Sequence, residues 1–281
     1  MNLERISFDP IAGKAAGQAV ALTRGLKILW SPAASSNGQW VAFSTGSPRE
    51  DIFVMQADGT GMRQLTDDPD SDRMPVWSPD DKRIAFCSTR SGKWEVWVVN
   101  VDGSGLEQLS HMPEAPVVGP VWSPDSARLA CSRLGGGPLI LDAGRGWKEQ
   151  KPEALAPWGE PNVFFAPRSW SADGKMLAGD LRRAQGASAG IVVYSFSDKE
   201  YRQIAGFGAW PRWLHDSRRL VFQHQDRIYL IDRRSGRVQE LYSAAPREIE
   251  HNASLSVSRG DREIYFSSTI AEADIWLLTF K

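Results

Sequence analysis

The sequence predicts an all-β protein, a six-bladed β-propeller of four-stranded blades whose ring is closed by an N-terminal strand. Three observations carry that prediction. The phrase "PVWSPDDKRIAFCSTR" (Pro75 to Arg90) returns as "PVWSPDSARLACSR" (Pro120 to Arg133), and more faintly elsewhere. Each copy contains four short strand-like runs. No stretch keeps a 3.6-residue apolar period long enough for a helix.

The repeat sets the organisation. Aligned on the apolar residue that opens the strand after each turn, the copies are anchored at Val41, Ile84, Leu129, Leu177, Leu220 and Ile264, at intervals of 43, 45, 48, 43 and 44 residues. Seven positions before the anchor stands Trp77, Trp122, Trp170, Trp213 or, in the last copy, Val257; the first copy has Trp30, four residues further upstream. The whole chain, 1–281, thus reads as a single six-bladed domain preceded by a closing segment, 1–24.

Each element of a copy has a local reason. A first strand ends in Trp-Ser and turns through "PDDKR", "PDSAR", "ADGK" or "HDSR", where Asp, Pro and Gly supply the hydrogen bonds and backbone angles of a tight turn. A second strand follows ("IAFCS", "RLVFQ", "EIYFSS"), then a variable loop. The third strand is β-branched or aromatic ("DIFVM", "EVWVV", "IVVYS", "RIYLI", "DIWLL"), and a second turn such as "ADGTG" leads to a short polar fourth strand. The N-terminal "NLERISFDPIAGKAAGQAVALT" looks like the second half of a blade, and the chain ends at "DIWLLTFK" before a fourth strand of its own. Gln18 to Thr23 is therefore expected to supply the outer strand of the last blade and cover its free edge. The recurring tryptophans are expected between blades, and the turn aspartates Asp80, Asp125, Asp173 and Asp216 are expected to be structural.

The phrases "VWSPDDKRIAF", "DIFVMQADGTGMRQLT" and "EVWVVNVDGSGLEQLS" resemble the TolB-like propeller family, and the resemblance runs through all six repeats. Related repeats form the propeller of prolyl-oligopeptidase-type enzymes and the sensor-like parts of some bacterial kinases, so the resemblance implies a bacterial-type propeller. The chain departs from TolB in having no N-terminal α/β domain and no signal segment, so the Tol-system role is not carried over.

Composition excludes several classes. Lys+Arg is 33 and Asp+Glu 34, a formal charge of −1, without the basic surplus of a nucleic-acid binder. Apolar runs such as Ile191 to Phe196 reach about six residues, whereas a membrane-spanning helix needs about 20. A soluble monomer is expected, cytoplasmic if complete and extracytoplasmic if excised from a longer protein. Cys87 and Cys131, each inside an apolar strand, read as buried thiols rather than a disulfide framework or a zinc site.

The parity of the chain separates two faces. The Asp-Gly turns share one and are uniform; the blade-to-blade and second-to-third-strand loops share the other and are irregular. Irregular loops on a rigid scaffold are the usual place for function. Candidate partner-binding residues on that face are Arg73, Trp158, Phe164, Phe165, Arg168, Phe207, Trp210, Arg212 and His251, with Arg247 and His111 nearby. They combine rigid apolar area with fork-shaped donors. Trp210 is expected in an exposed loop.

Enzyme signals are weak. Ser188 in "GASAG" lacks the strand-to-helix turn of a nucleophile elbow, since the strand "IVVYS" follows. Asp68, Asp70 and Asp72 alternate as in calcium loops, without the glycine and distal glutamate. His111, His215, His224 and His251 show no paired metal spacing, and "NAS" at Asn252 is a sequon by pattern alone. No catalytic residue, metal or cofactor is expected. The expected function is a non-catalytic scaffold or sensor that binds a protein or peptide segment at the irregular face and channel mouth, without nucleic acid or membrane insertion. The alternatives are a metal-dependent sugar lyase or hydrolase-type propeller and a carbohydrate-binding propeller.

Overall fold

The computed structural model describes residues 1–24, 29–46, 50–183, 188–250, 254–258 and 260–269. Its sheets are six, each an antiparallel blade, in a six-bladed propeller. Blade one is built from Leu29–Ala34, Trp40–Thr45, Ile52–Gln56 and Arg63–Gln64, and blades two to five repeat that order from Asp72, Val117, Val163 and Ala209. In the last blade, Glu263–Thr269 pairs on its inner side with both Glu248–Ile249 and Ser256–Val257.

Closure of the ring differs in detail from expectation. Asn2–Asp9 lies beside Glu263–Thr269, in register from Asn2↔Ser268 to Ser7↔Glu263, and Lys14–Ala21 forms the outer strand. The N-terminal hairpin thus provides the third and fourth strands of the last blade. Leu3, Ile6 and Phe8 are buried, alternating with outward residues as a half-buried strand requires. The expected third strand, at 274–278, lies outside the described residues.

The core is divided among the blade interfaces. One apolar cluster joins each neighbouring pair of blades, and the anchor tryptophans sit in four of them. Trp122 packs on Ala85, Val96 and Val98 of the preceding blade, donates Nε1–H to the Val76 carbonyl at 3.2 Å, and is covered by Arg83 at 5.0 Å. Burying a tryptophan removes roughly 150–250 Å² from water, on the order of 4–6 kcal/mol as an upper bound. In blade one, Ala34 holds the anchor place, paired with Val41 as Trp77 is with Ile84. Trp30 instead pairs with Ser44, at the place of Arg73 in blade two. The four-residue offset in the first copy marks a tryptophan moved from the interface to the rim of the channel.

The turn aspartates do the structural work expected of them. Asp80 accepts from Ser78 Oγ at 2.6 Å and from the Lys82 amide at 3.2 Å, and Asp125 and Asp173 repeat this pattern. A further hydrogen bond links turn to turn: Ser36 N to Asp81, Asp80 N to Ser126, Asp173 N to Ser217 and His215 N to Asp261, all between 2.6 and 3.2 Å.

Candidate functional site

The inner strands carry a bulge that shapes the channel. In blade two the pairing steps from Arg73↔Cys87 to Val76↔Ala85, skipping two residues on one strand for one on the other. The skipped residue adopts a left-handed backbone at Ser31, Met74, Gly119 and Trp210, with φ of 54°, 56°, 66° and 57°. Proline follows each of these, at 32, 75, 120 and 211. Proline has no N–H to leave unpaired on the channel side, and the bulge turns the preceding residue toward the axis.

At the irregular face these residues enclose a cavity of 370 Å³ lined by five blades: Trp30, Ser31 and Ser44, Arg73 and Met74, Val118, Ser132 and Leu134, Phe164, Ala166, Arg168 and Arg182, and Trp210. Beneath it the axis narrows to a void of 20 Å³ among Met74, Pro75, Gly119, Pro167, Arg168, Trp210 and Arg212. That holds about one water molecule. Arg168 and Trp210 line both spaces and form the floor of the mouth. Two grooves on the same face run up to the mouth: one of 600 Å³ between Leu134–Gly136 and Pro157–Phe164, one of 500 Å³ between Met112–Ala115 and Arg133–Gly135. Leu134 lines all three spaces.

The floor is an ionic cluster. Asp180, fully buried, accepts from Arg168 Nε at 2.7 Å and from Arg182 Nε. Burial alone would raise its pKa; the two guanidiniums outweigh burial and hold the carboxyl below its ordinary value. Arg168 stacks on Trp210 with Cζ 3.7 Å from the ring centroid, and burial lowers its pKa against the opposing pull of Asp180. Arg212 donates Nε–H to the Leu255 carbonyl at 2.7 Å and Nη1–H to the Arg168 carbonyl. Burial, then the charge of Arg168, brings Arg212 down to about 10, so it remains cationic at neutral pH. Arg168 and Arg212 thus set two guanidiniums against one carboxylate, which Arg182 shares. Arg73 adds no net charge, because it forms a bidentate pair with Glu50.

Several donors here have no partner among the described residues. They are Trp30 Nε1 and Ser132 Oγ at the mouth and Trp158 Nε1 in the larger groove.

The structure brings together Arg73, Phe164, Arg168 and Trp210 at the mouth, with Arg212 just below. Trp158 stands in the adjoining groove, edge-on to Tyr201 at 5.8 Å. Phe165 is 2% exposed and faces the interface between blades three and four, opposite to Phe164, because neighbouring residues of a strand point to opposite sides. Phe207 packs on Phe222, His224 and Tyr229 in the next interface, away from the mouth. Trp210 is 4% exposed within the strand Ala209–Trp213, not in an exposed loop: the bulge folds its ring inward over Arg168. His251 lies outside the described residues. Arg247 clamps Glu4 of the closing hairpin, and His111 stacks on Trp147 at 4.7 Å.

Residues that sequence reasoning missed are Trp30, Ser132, Leu134 and Arg182. Ser132 and Arg182 belong to second strands, which read as core; only the charge at the end of "LAGDLRR" signals the latter.

The enzyme-like patterns fall elsewhere. Ser188 Oγ donates to the Gly208 carbonyl at the start of a strand, and Asp68 and Asp72 both pair with Arg90 at 2.8 Å. Cys87 and Cys131 are buried free thiols; burial pushes Cys87 up to about 12. Among the described residues no group of three or more His, Cys, Asp or Glu side chains could hold a metal ion, and no helix is long and apolar enough to cross a membrane.

Residues 11–143 match the family model of the TolB beta propeller domain. No curated protein matches the chain by sequence. A putative TolB from Agrobacterium tumefaciens is similar with a TM-score of 0.72 at 14% identity, over 95% of this chain and 97% of that one. TolB from Acinetobacter baumannii is similar with a TM-score of 0.63 at 14% identity, over 94% of this chain and 63% of that one, so this chain spans less than two thirds of its length. An oligogalacturonate lyase from Vibrio parahaemolyticus is similar with a TM-score of 0.55 at 11% identity, over 95% and 97%. At these identities the likenesses show the fold.

Proposed function

Starting from a six-bladed propeller whose residues 11–143 match the TolB beta propeller domain, we propose that it is a protein- or peptide-binding module that takes an extended segment at the mouth of its irregular face. The observation that carries this reading is the mouth itself. Aromatic and aliphatic walls (Trp30, Phe164, Leu134) stand above a cationic floor, with indole and hydroxyl donors unpaired. Such a site gains affinity by burying apolar area and saturating donors, which is how peptide-binding surfaces concentrate their energy. Its buried carboxylate, Asp180, is engaged by two guanidiniums and so is not poised to accept a proton.

A second reading follows from the surplus positive charge. An acidic oligosaccharide, the substrate class printed in the name of the Vibrio neighbour, would meet the same guanidiniums. A photo-crosslinking amino acid placed at Leu134, and separately at Asp102 on the turn face, tests the first reading. Crosslinking in source-organism extract is expected to give a discrete protein adduct from position 134 and none from 102. Adducts from 102 alone would show that the wrong face was assigned.

A further inference from the structure

We infer that the mouth reads a free chain end: it binds the C-terminal carboxylate of an extended peptide whose preceding apolar residues lie along the groove from Leu134 toward Trp158. This inference rests on the peptide-binding reading above.

Three independent features converge. First, the mouth is a dead end. Among the described residues the 370 Å³ mouth gives way at Arg168 and Trp210 to a void of 20 Å³, too small for a peptide backbone, so a segment entering from the groove meets a floor there. Second, the charge at that stop is unbalanced. Arg168 spends only Nε on Asp180, and its Nη groups make no hydrogen bond among the described residues, while Ser132, 3% exposed, has an unpartnered Oγ on the same wall. Third, the space between these two groups is kept open by the absence of a side chain. Gly119 holds the bulge position that Ser31, Met74 and Trp210 hold in other blades. A Cβ built there would stand 3.5 Å from Arg168 Nη1 and 3.9 Å from Ser132 Oγ. A carboxylate in that gap accepts from the guanidinium with one oxygen and from the hydroxyl with the other, giving both donors the partner they lack among the described residues. An acidic side chain of a passing segment carries the same charge, but its two flanking backbones need exits on both sides. The 600 Å³ groove continues the mouth through both Leu134 and Phe164, whereas the 500 Å³ groove meets it at Leu134 alone.

The test uses pooled synthetic decapeptides with the last five positions random, prepared as free acids and as C-terminal amides. Each pool is passed over the immobilised full chain, and retained peptides are read by mass spectrometry. Free acids are expected to be retained at least about tenfold over amides, the ratio that loss of one charge-assisted interaction produces. Ser132→Ala should lower the affinity of the best free acid several-fold without moving the melting temperature. Gly119→Met should abolish binding while the protein stays folded, since Met74 occupies the equivalent backbone at φ 56°. Equal retention of acids and amides, lost in Leu134→Asp, would overturn the terminal-carboxylate inference and leave the peptide-binding reading standing. An internal Asp or Glu selected in amidated peptides at equal affinity would overturn it as well. If neither pool is retained, or a galacturonate oligomer binds in their place, both fall.

Discussion

Arg168 lies over the ring of Trp210, Cζ to centroid 3.7 Å, and both residues are tied to one carboxylate: Asp180 accepts from Arg168 Nε at 2.7 Å and from the Trp210 amide at 3.4 Å. Two blades are thereby locked at the axis by a cation, an aromatic face and an anion. Trp210 holds φ 57°, a conformation that costs an ordinary residue about 1–2 kcal/mol, so its surroundings must fix it there. Trp210→Ala is accordingly expected to destabilise the fold as much as Trp122→Ala, each by about 3–5 kcal/mol in urea denaturation. A loss at Trp210 under half that at Trp122 would show that its ring is not a packing element of the floor.

Removing the anion has a different signature. Asp180→Asn leaves the buried Arg168 without its carboxylate and should cost about 3 kcal/mol or more at neutral pH. Because the folded-state pKa of Asp180 lies below its unfolded value of about 3.9, the unfolded chain binds more protons in acid. The stabilisation is present above that value and is lost as pH falls through the folded one. The gap in stability between parent and variant should therefore narrow below about pH 4. A gap that stays constant down to pH 2.5 would assign the loss to altered packing instead of charge.

The blades, their number and their turns were legible in the sequence because every copy repeats the same local chemistry, from Ser78–Asp80 to Ser171–Asp173. The mouth was legible in half. Arg73, Phe164 and Arg168 stand where the irregular loops enter the inner strands, as their place in the repeat implies. Phe165 and Phe207 come in with the irregular loops that carry them: Phe165 already belongs to the strand Val163–Trp170, where alternation turns it from Phe164, and Phe207 is a loop residue that folds into the next interface. Ser132 and Arg182 escaped because a polar residue late in a second strand resembles a strand end. Trp30 is hidden because it shares its residue type with the interface tryptophans, while Ala34, which holds the anchor place opposite Val41, carries no such signal.

The closing hairpin makes a stability prediction. Deleting residues 1–24 removes both outer strands of the last blade and the buried Leu3, Ile6 and Phe8, and bares the edge of Glu263–Thr269. An unpaired edge beside an opened core favours intermolecular pairing. Loss of a cooperative thermal transition and aggregation in size-exclusion chromatography are expected. A truncated chain that stays monomeric and melts with the parent would refute this closure.

The turn-to-turn hydrogen bonds allow a stabilising design to be argued from the repeat. At Asp81, Ser126, Ser217 and Asp261 a polar side chain, on a backbone of φ 51° to 61°, reaches an amide of the preceding blade. Gly174 holds the same place in blade four at φ 74° and offers no side chain to blade three. A Cβ there would meet only Pro124 Cγ at an ordinary 3.7 Å. Gly174→Ser thus incurs a left-handed cost of roughly 1 kcal/mol and gains a hydrogen bond of about the same size, so stability should change by less than about 1 kcal/mol. Gly208 is the contrast: its φ is 91°, and a Cβ would lie 2.4 Å from Phe222 Cδ2, inside the interface of blades four and five. Gly208→Ala should lose about 2 kcal/mol or more through overpacking together with backbone strain. Measured side by side in urea, the two variants should separate clearly; a Gly174→Ser loss as large as that of Gly208→Ala would mean that the hydroxyl does not reach the Asp125 amide and that the turn contacts of this blade pair differ from the others.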